Sequence, residues 1–173
     1  MLLDKIDPRQ RAWVEVSPQA IKANTQAIKG LLHEKCMLMA VVKADGYGHG
    51  SQTVAQAALA GGATSLGVAT LQEGIDLRKA GIQSPILILG NLINPEDLDS
   101  CLCWDLMVTL SASKQAVLCQ QLAEAQSKEF AVHIKVDTGM TRLGCDLEKA
   151  SGLADLVYNL RNVCLKGIYS HLA

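Results

Sequence analysis

The sequence predicts an α/β fold in which a parallel sheet is covered by helices. Six short apolar runs are typical of strands, and amphipathic helical patterns separate them. The runs are Leu38–Lys43, Ser65–Thr70, Ile86–Gly90, Leu106–Leu110, Ala131–Val136 and Leu165–Ser170. Near-continuous apolar strands that alternate with helices indicate a buried parallel sheet. Two architectures meet this description, an open doubly wound sheet and a (β/α)₈ barrel.

Helix boundaries are marked by capping residues, proline and glycine. The segments Ser113–Lys128 and Leu147–Leu160 each place apolar residues on one helical face,. A third helix, Leu71–Ala80, ends before a glycine,. Ser17-Pro18 and Asn94-Pro95 each pair a capping side chain with a proline at the first helical position,. These signals predict where helices separate the strands.

The length of the chain favours part of a barrel over a complete open sheet. A (β/α)₈ barrel needs eight strands and about 250 residues, whereas the 173 residues hold six predicted strands. The last three residues, from His171, follow a strand with no helix behind it. We therefore expect about six of the eight βα units of one barrel domain over residues 1–173, with no second domain in this chain. The alternation in Arg11–Val16 predicts one further strand, in some other sheet.

Composition and charge narrow the class of protein. The chain is 49% hydrophobic with a net charge of −1, which suits one globular core and gives no sign of a nucleic-acid partner,. Its first residues are too charged for a secretory leader, and no apolar run is long enough to span a membrane,. The six cysteines form no CxxC pair, which disfavours a metal site,. We predict reduced thiols in a cytoplasmic protein.

Reactive groups in such folds lie at the carboxyl ends of the strands. Lys43 ends the first predicted strand, and the glycine-rich segment Ala44–Gly50 follows, with a helix start near Ser51. A lysine at the rim of an apolar core loses hydration, which lowers its pKa and suits a Schiff base. Glycines and a helix start suit a phosphate. The pattern predicts a phosphorylated aldehyde ligand, unless Lys43 points to solvent and the glycines form an ordinary turn.

Two further candidates belong to the fifth and sixth strands. Lys135 lies on the polar face of its strand, which points inward in a barrel, and an inward lysine is costly unless paired or modified,. Arg142 follows in a loop on the same rim. It holds a phenolate or a carboxylate by a charge-assisted bond, or else it pairs at the surface with Asp137 or Asp146. His171 ends the sixth strand, where a lone histidine is more often structural than catalytic.

Three segments resemble characteristic blocks of the alanine racemases. They are Ala40–Gly50, Lys135–Gly144 and Gly167–Ala173. Further segments resemble the family in the same order: Trp13–Ser17, Gly67–Gly74 and Ile86–Gly90. The resemblance covers essentially the whole chain. It implies a pyridoxal-phosphate-dependent enzyme that interconverts L-alanine and D-alanine for peptidoglycan, with a barrel followed by a β-rich C-terminal domain and a homodimer as the full-length protein.

The resemblance also implies a role for each site residue. Lys43 is the lysine that carries pyridoxal phosphate, and it is one of two bases. Tyr47 contacts the cofactor phosphate, and Arg142 bonds the phenolic oxygen near the substrate carboxylate. Lys135 matches a position that is carbamylated in many members, where the carbamate orients that arginine. His171 packs beside the cofactor ring and is linked to the second base.

The second base of the family is a tyrosine of the C-terminal domain, supplied by the other subunit. We therefore expect this chain, as a fragment without that domain, to be inactive by itself. Two alternatives remain open, a barrel-type pyridoxal-phosphate decarboxylase and a non-catalytic pyridoxal-phosphate-binding barrel protein. The segment Asp137–Met140 argues against the decarboxylase, and Arg142 with its surrounding block argues against the binding protein.

Overall fold

The computed structural model describes residues 12–172. Six strands within this range form one parallel sheet in the order β1 to β6. The strands are β1 (Met39–Val41), β2 (Ser65–Val68), β3 (Ile86–Asn91), β4 (Met107–Leu110), β5 (Phe130–Val136) and β6 (Val163–Ser170). All five pairings join strands that are consecutive in the chain. A doubly wound sheet reverses its strand order, whereas a barrel does not. The curled sheet is therefore part of a barrel, as predicted.

Helices connect the strands and cover one face of the sheet. They are α1 (Pro18–Leu31), α2 (Ser51–Ala60), α3 (Leu71–Lys79), α4 (Pro95–Cys103), α5 (Ser113–Ala125) and α6 (Leu147–Tyr158). The predicted starts at Ser17-Pro18 and Asn94-Pro95 are confirmed, and Ser17 Oγ accepts a hydrogen bond from Ala20 N. Helix α5 ends three residues before the predicted Lys128 because Ser127 takes a positive φ of 52°, which a right-handed helix cannot contain.

The core lies between the helices and the outward face of the sheet. Alternate strand residues point to this face and are fully or almost fully buried: Leu66, Val68, Ile86, Ile88, Val108, Leu110, Val132 and Ile134. Burial of each such side chain stabilises the fold by roughly 1.5–3 kcal/mol. Because strand residues alternate between faces, packing this face against the helices turns the residues between them toward the barrel interior.

Two predicted segments near the start of the chain differ from the structure. Strand β1 ends at Val41, so Lys43 is not its last residue but the first residue of a turn, Lys43–Gly48. The strand direction is lost there because the next four residues take positive φ values. The strand predicted at Arg11–Val16 is absent from its described part, residues 12–16. No described segment pairs with those residues, and Arg11 itself lies outside the described residues.

Within residues 12–172, no helix is both long and apolar enough to cross a membrane.

Candidate active site at the carboxyl rim

A cavity of about 440 Å³ opens at the carboxyl ends of the strands. Its volume falls in the ~300–1,000 Å³ range of small-molecule sites. All five site residues predicted from the sequence line it: Lys43, Tyr47, Lys135, Arg142 and His171. The fold therefore brings together side chains that lie up to 128 positions apart in the chain.

The cavity is cationic. Lys43, Lys135 and Arg142 line it, and no aspartate or glutamate of residues 12–172 does. Lys135 is only 6% exposed. Burial and then the nearby Arg142 lower the pKa of Lys135, against the opposing effect of Asp137. Among the described residues no carboxylate forms an ion pair with Arg142. An anionic ligand would relieve this concentration of positive charge.

Lys43 is presented by a left-handed turn. The residues Ala44, Asp45, Gly46 and Tyr47 have φ between 52° and 62°. Each of the three with a side chain costs roughly 1–2 kcal/mol in this conformation. A Cβ on Gly46 would lie 2.7 Å from Val54 Cγ2, so no other residue fits there. Backbone strain of this kind collects at functional sites, where the surrounding structure must hold it.

Hydrogen bonds inside and behind the turn hold it in place. Gly46 N donates to Val42 O at 2.9 Å, and Ser51 N at the start of α2 donates to Asp45 Oδ1 at 2.8 Å. The turn brings Lys43 Nζ to 5.9 Å from the centroid of the Tyr47 ring. Lys43 is partly buried and Tyr47 is 60% exposed, so both side chains are open to a ligand in the cavity.

Glu73 joins this turn to the loop after β2. Its Oε1 accepts a hydrogen bond from Ala44 N at 2.7 Å, and its Oε2 accepts from Ala69 N at 2.7 Å and Thr70 N at 3.0 Å. Thr70 Oγ1 accepts in return from Glu73 N at 3.3 Å, which completes a capping box at the start of α3. The sequence analysis missed Glu73, although Thr-x-x-Glu ahead of a helix is a recognisable capping signal.

Arg142 is held at the rim by a loop that folds back onto β5. Asp137 Oδ1 accepts hydrogen bonds from Gly139 N at 3.0 Å and Thr141 N at 2.9 Å, and these bonds hold the pKa of Asp137 below its usual value. Asp137 N donates to Cys145 O at 2.9 Å. A Cβ on Gly144 would lie 2.6 Å from Asp137 N, so this close return requires glycine.

Tyr169 is a site residue that the sequence analysis missed. It pairs with Lys135 across β5 and β6, and Lys135 Nζ lies 5.7 Å from its ring centroid. Its hydroxyl lies 2.8 Å from Thr109 Oγ1, which itself donates to Ile88 O at 2.7 Å. Since Thr109 has one hydroxyl proton, Tyr169 must donate to Thr109. Tyr169 lies two residues before His171, and that spacing in a strand was the available signal.

His171 lies just beyond β6, where its side chain is exposed at the mouth of the cavity. Thr138 Oγ1 donates to its backbone oxygen at 3.3 Å, which ties the end of the sixth strand to the loop that carries Arg142. The candidate site is thus assembled from the ends of the first, fifth and sixth strands.

The fold and the cavity define a β/α-barrel protein with a cationic small-molecule site at its carboxyl rim. The family model for the alanine racemase N-terminal domain matches residues 16–173. The chain belongs to the alanine racemase family.

Relatives support this membership along the whole chain. The chain is 75% identical over 173 residues to an alanine racemase of Prochlorococcus marinus, and the match covers 100% of this chain and 45% of that protein. It is 48% identical over 166 residues to an alanine racemase of a Nostoc species, covering 95% of this chain and 43% of the relative. The chain therefore spans less than half the length of these relatives.

Solved structures give the same answer for the fold. An alanine racemase from Bacillus anthracis with bound L-Ala-P matches with a TM-score of 0.84 and 35% identity, over 96% of this chain and 43% of that chain. A histidine racemase from Leuconostoc mesenteroides matches with a TM-score of 0.85 and 27% identity, over 96% of this chain and 45% of that chain. Both neighbours are amino-acid racemases, which are isomerases.

Proposed function

We propose that the full-length product of this gene is a pyridoxal-phosphate-dependent alanine racemase that supplies D-alanine for peptidoglycan. The observation that carries the proposal is Lys43, a primary amine at a cationic cavity, in a chain 75% identical to an alanine racemase. The six cysteines are unpaired, which supports a reducing, cytoplasmic location,. The chain supplies part of the barrel domain, and the full-length protein acts as a homodimer.

The residues present fit pyridoxal phosphate. Three lining cations, with no carboxylate from the described part of the chain beside them, suit its phosphate and phenolate groups, and a cavity of about 440 Å³ suits its size. Lys43 would bond the aldehyde carbon, Tyr47 the phosphate and Arg142 the phenolic oxygen, with His171 beside the ring. When bound, the cofactor supplies an electron-withdrawing ring that acidifies the Cα–H bond of an amino acid.

Lys43 and Arg142 then have separate roles in the proposed reaction. Lys43 takes or returns the Cα proton on the face of D-alanine. Arg142 orients the substrate carboxylate by a charge-assisted hydrogen bond. A base on the opposite face completes racemisation, and we assign it to a tyrosine of the C-terminal domain of the partner subunit.

Lys135 is proposed to carry a carbamate. Its neutral amine attacks carbon dioxide, a nitrogen–carbon bond forms, and one proton is released. The cation becomes an anion that can pair with Arg142, which also removes the cost of an inward ammonium group. The lowered pKa of Lys135, caused first by burial, supports the step because it raises the fraction of neutral amine.

The test uses the full-length protein with added pyridoxal phosphate, followed by borohydride reduction and peptide mapping. We expect the label on Lys43 and interconversion of L-alanine and D-alanine. Lys149, an exposed lysine paired with Asp146 outside the cavity, serves as the control, since Lys149→Ala should leave labelling unchanged. A folded protein without label on Lys43 would contradict the proposal.

The assay must also separate the alternatives, because a histidine racemase shares this fold. L-alanine, L-serine and L-histidine are therefore compared as substrates. Release of carbon dioxide would favour a decarboxylase. Labelling of Lys43 without any turnover by the dimeric full-length protein would favour the non-catalytic binding protein.

A further inference from the structure

We propose that Glu73 is a positioning residue: its carboxylate holds the left-handed turn in the conformation that aims Lys43 into the cavity. The proposal rests on the proposed function, because that function makes Lys43 the reacting amine. Glu73 does not line the cavity itself. It acts through the backbone, at the residue that follows Lys43 in the chain.

The carboxylate of Glu73 binds the backbone directly beside Lys43. The turn begins at Lys43, and Ala44 N is the peptide N–H next to that residue. Ala44 N donates to Glu73 Oε1 at 2.7 Å, whereas Gly46 N donates to the oxygen of Val42, the residue just before the turn. The bond from Glu73 therefore fixes the Lys43–Ala44 peptide directly. Strained left-handed residues persist only when contacts of this kind determine them.

Helix α5 has an equivalent residue that binds two loops in a different way. Gln115 occupies the same third position of its helix that Glu73 occupies in α3. Its Oε1 accepts from Ser111 N at 2.9 Å and Ala112 N at 3.1 Å, while its Nε2 donates to Leu92 O at 2.8 Å. Each side chain thus binds its own preceding loop and the loop after the previous strand. At Gln115 the previous loop offers a carbonyl oxygen; at Glu73 it offers an N–H.

The two side chains differ in the number of hydrogen bonds that their oxygens can accept. An amide has one acceptor oxygen and one donor group, whereas a carboxylate has two acceptor oxygens. Glu73 uses one oxygen for Ala44 and the other for Ala69 and Thr70. In Glu73→Gln the single oxygen can serve one loop, and the amide donor must face an N–H on the other. The substitution therefore breaks the bridge while keeping the size of the side chain.

The experiment compares Glu73→Gln with wild type and with Thr70→Ala in the full-length protein. Thr70→Ala removes the hydroxyl that accepts from Glu73 N but leaves the carboxylate and its three amide donors in place. Two quantities are measured: the pyridoxal phosphate concentration that gives half-maximal borohydride labelling of Lys43, and the rate of amide hydrogen exchange at Ala44.

For Glu73→Gln we expect the half-maximal concentration to rise about tenfold or more, the scale of one lost charge-assisted hydrogen bond. Exchange at Ala44 should become faster. For Thr70→Ala we expect lower thermal stability with unchanged labelling. Absence of label on Lys43 in wild type would overturn the proposed function. Normal labelling in wild type together with wild-type values for Glu73→Gln would overturn the role of Glu73 alone.

A second variant covers the case in which Glu73→Gln does not fold. Glu73→Asp keeps the negative charge, but its side chain is one methylene shorter and cannot reach both loops. We expect it to weaken labelling and to speed exchange at Ala44 in the same direction. A folded Glu73→Asp protein with wild-type labelling and exchange would overturn the proposal.

Discussion

Helix α3 carries two charged side chains that act at opposite ends of the sheet. Glu73, in its first turn, accepts hydrogen bonds from three backbone N–H groups at the carboxyl rim. Arg78, in its last turn, donates to backbone oxygens of the loops that lead into β3 and β4: Ile82 O and Ser84 O, both at 2.8 Å, Trp104 O at 3.1 Å and Asp105 O at 2.7 Å. One helix therefore fastens both ends of the barrel.

The two ends differ in what they hold. At the amino end, the Arg78 side chain is 9% exposed and ties ordinary loops together, and burial lowers its pKa. Its ion pair with the exposed Asp105, at 4.0 Å, adds little,. At the carboxyl end, Glu73 holds a strained turn beside a cationic cavity. The comparison favours a stabilising role for the amino end, and we propose a chemical role for the carboxyl end, which is the division expected in barrel enzymes.

The largest expected effect is that of Lys43→Arg. The guanidinium keeps the positive charge but cannot bond the aldehyde or accept a proton at neutral pH. We expect labelling at this position to vanish and racemisation to fall by at least ~10²–10⁴-fold, the scale of one general base. Urea unfolding should be close to wild type, because the side chain contributes to the site and not to the core. A large loss of stability would contradict the assignment of stability to the amino end and of chemistry to the carboxyl end.

Arg78→Met should show the opposite pattern. Loss of the guanidinium leaves four backbone oxygens without their donor, and we expect the free energy of unfolding to fall by about 2–4 kcal/mol. In the folded protein, the pyridoxal phosphate concentration that gives half-maximal labelling of Lys43 should be the same as in wild type. Urea titration and borohydride mapping check the two halves of this expectation. Arg78→Lys should recover part of the stability.

Lys135→Met tests the inward cation through pH. Burial holds the pKa of Lys135 in the folded protein below the ordinary lysine value of 10.5, so folding opposes its protonation. At pH values below the folded pKa the ammonium group destabilises the native state, and the penalty disappears as pH rises through 10.5. In bicarbonate-free buffer Lys135→Met should therefore be more stable than wild type at neutral pH, and the gain should vanish in alkaline urea titrations. A gain independent of pH would contradict this assignment.

The same position is informative with bicarbonate present. If Lys135 carries a carbamate, carbon NMR of the full-length protein with labelled bicarbonate should show a carbamate signal that is absent from Lys135→Met. Lys135→Ala should lower racemase activity less than Lys43→Arg does, because the proposed carbamate of Lys135 orients Arg142, whereas Lys43 is proposed to move the Cα proton itself. A free ammonium group under ample bicarbonate would remove the carbamate proposal.

Asp137→Ala should have the smallest effect on the site. It removes the acceptor of Gly139 N and Thr141 N, which loosens the loop that carries Arg142. We expect a severalfold rise in the pyridoxal phosphate concentration that half-saturates labelling, with Asp137→Asn closer to wild type because its amide oxygen keeps the acceptor. Faster amide exchange at Thr141 would accompany the change. An effect as large as that of Glu73→Gln would show that both loops are equally strained.

The fold was predictable because its strongest signal is local. The apolar runs that became β2 to β6 must face the helices, and that requirement places each strand within one or two residues. Tyr169 was missed, but part of the site was predictable: Lys43, Arg142 and His171 follow strands, and Lys135 lies near the end of β5. Its construction was not, because the hydrogen bond from Ala44 to Glu73 joins positions 29 apart and leaves no trace in hydrophobic periodicity.

The left-handed turn also limits which sequences can present a lysine at this place. A β-branched residue at Ala44, Asp45 or Tyr47 would add a steric conflict to the cost of positive φ,. Gly46 has no substitute, because its Cβ would overlap Val54. Random mutation of these four codons should therefore yield few folded proteins, and the survivors should be enriched in glycine, asparagine and aspartate. The turn therefore tolerates fewer substitutions than the neighbouring strands do.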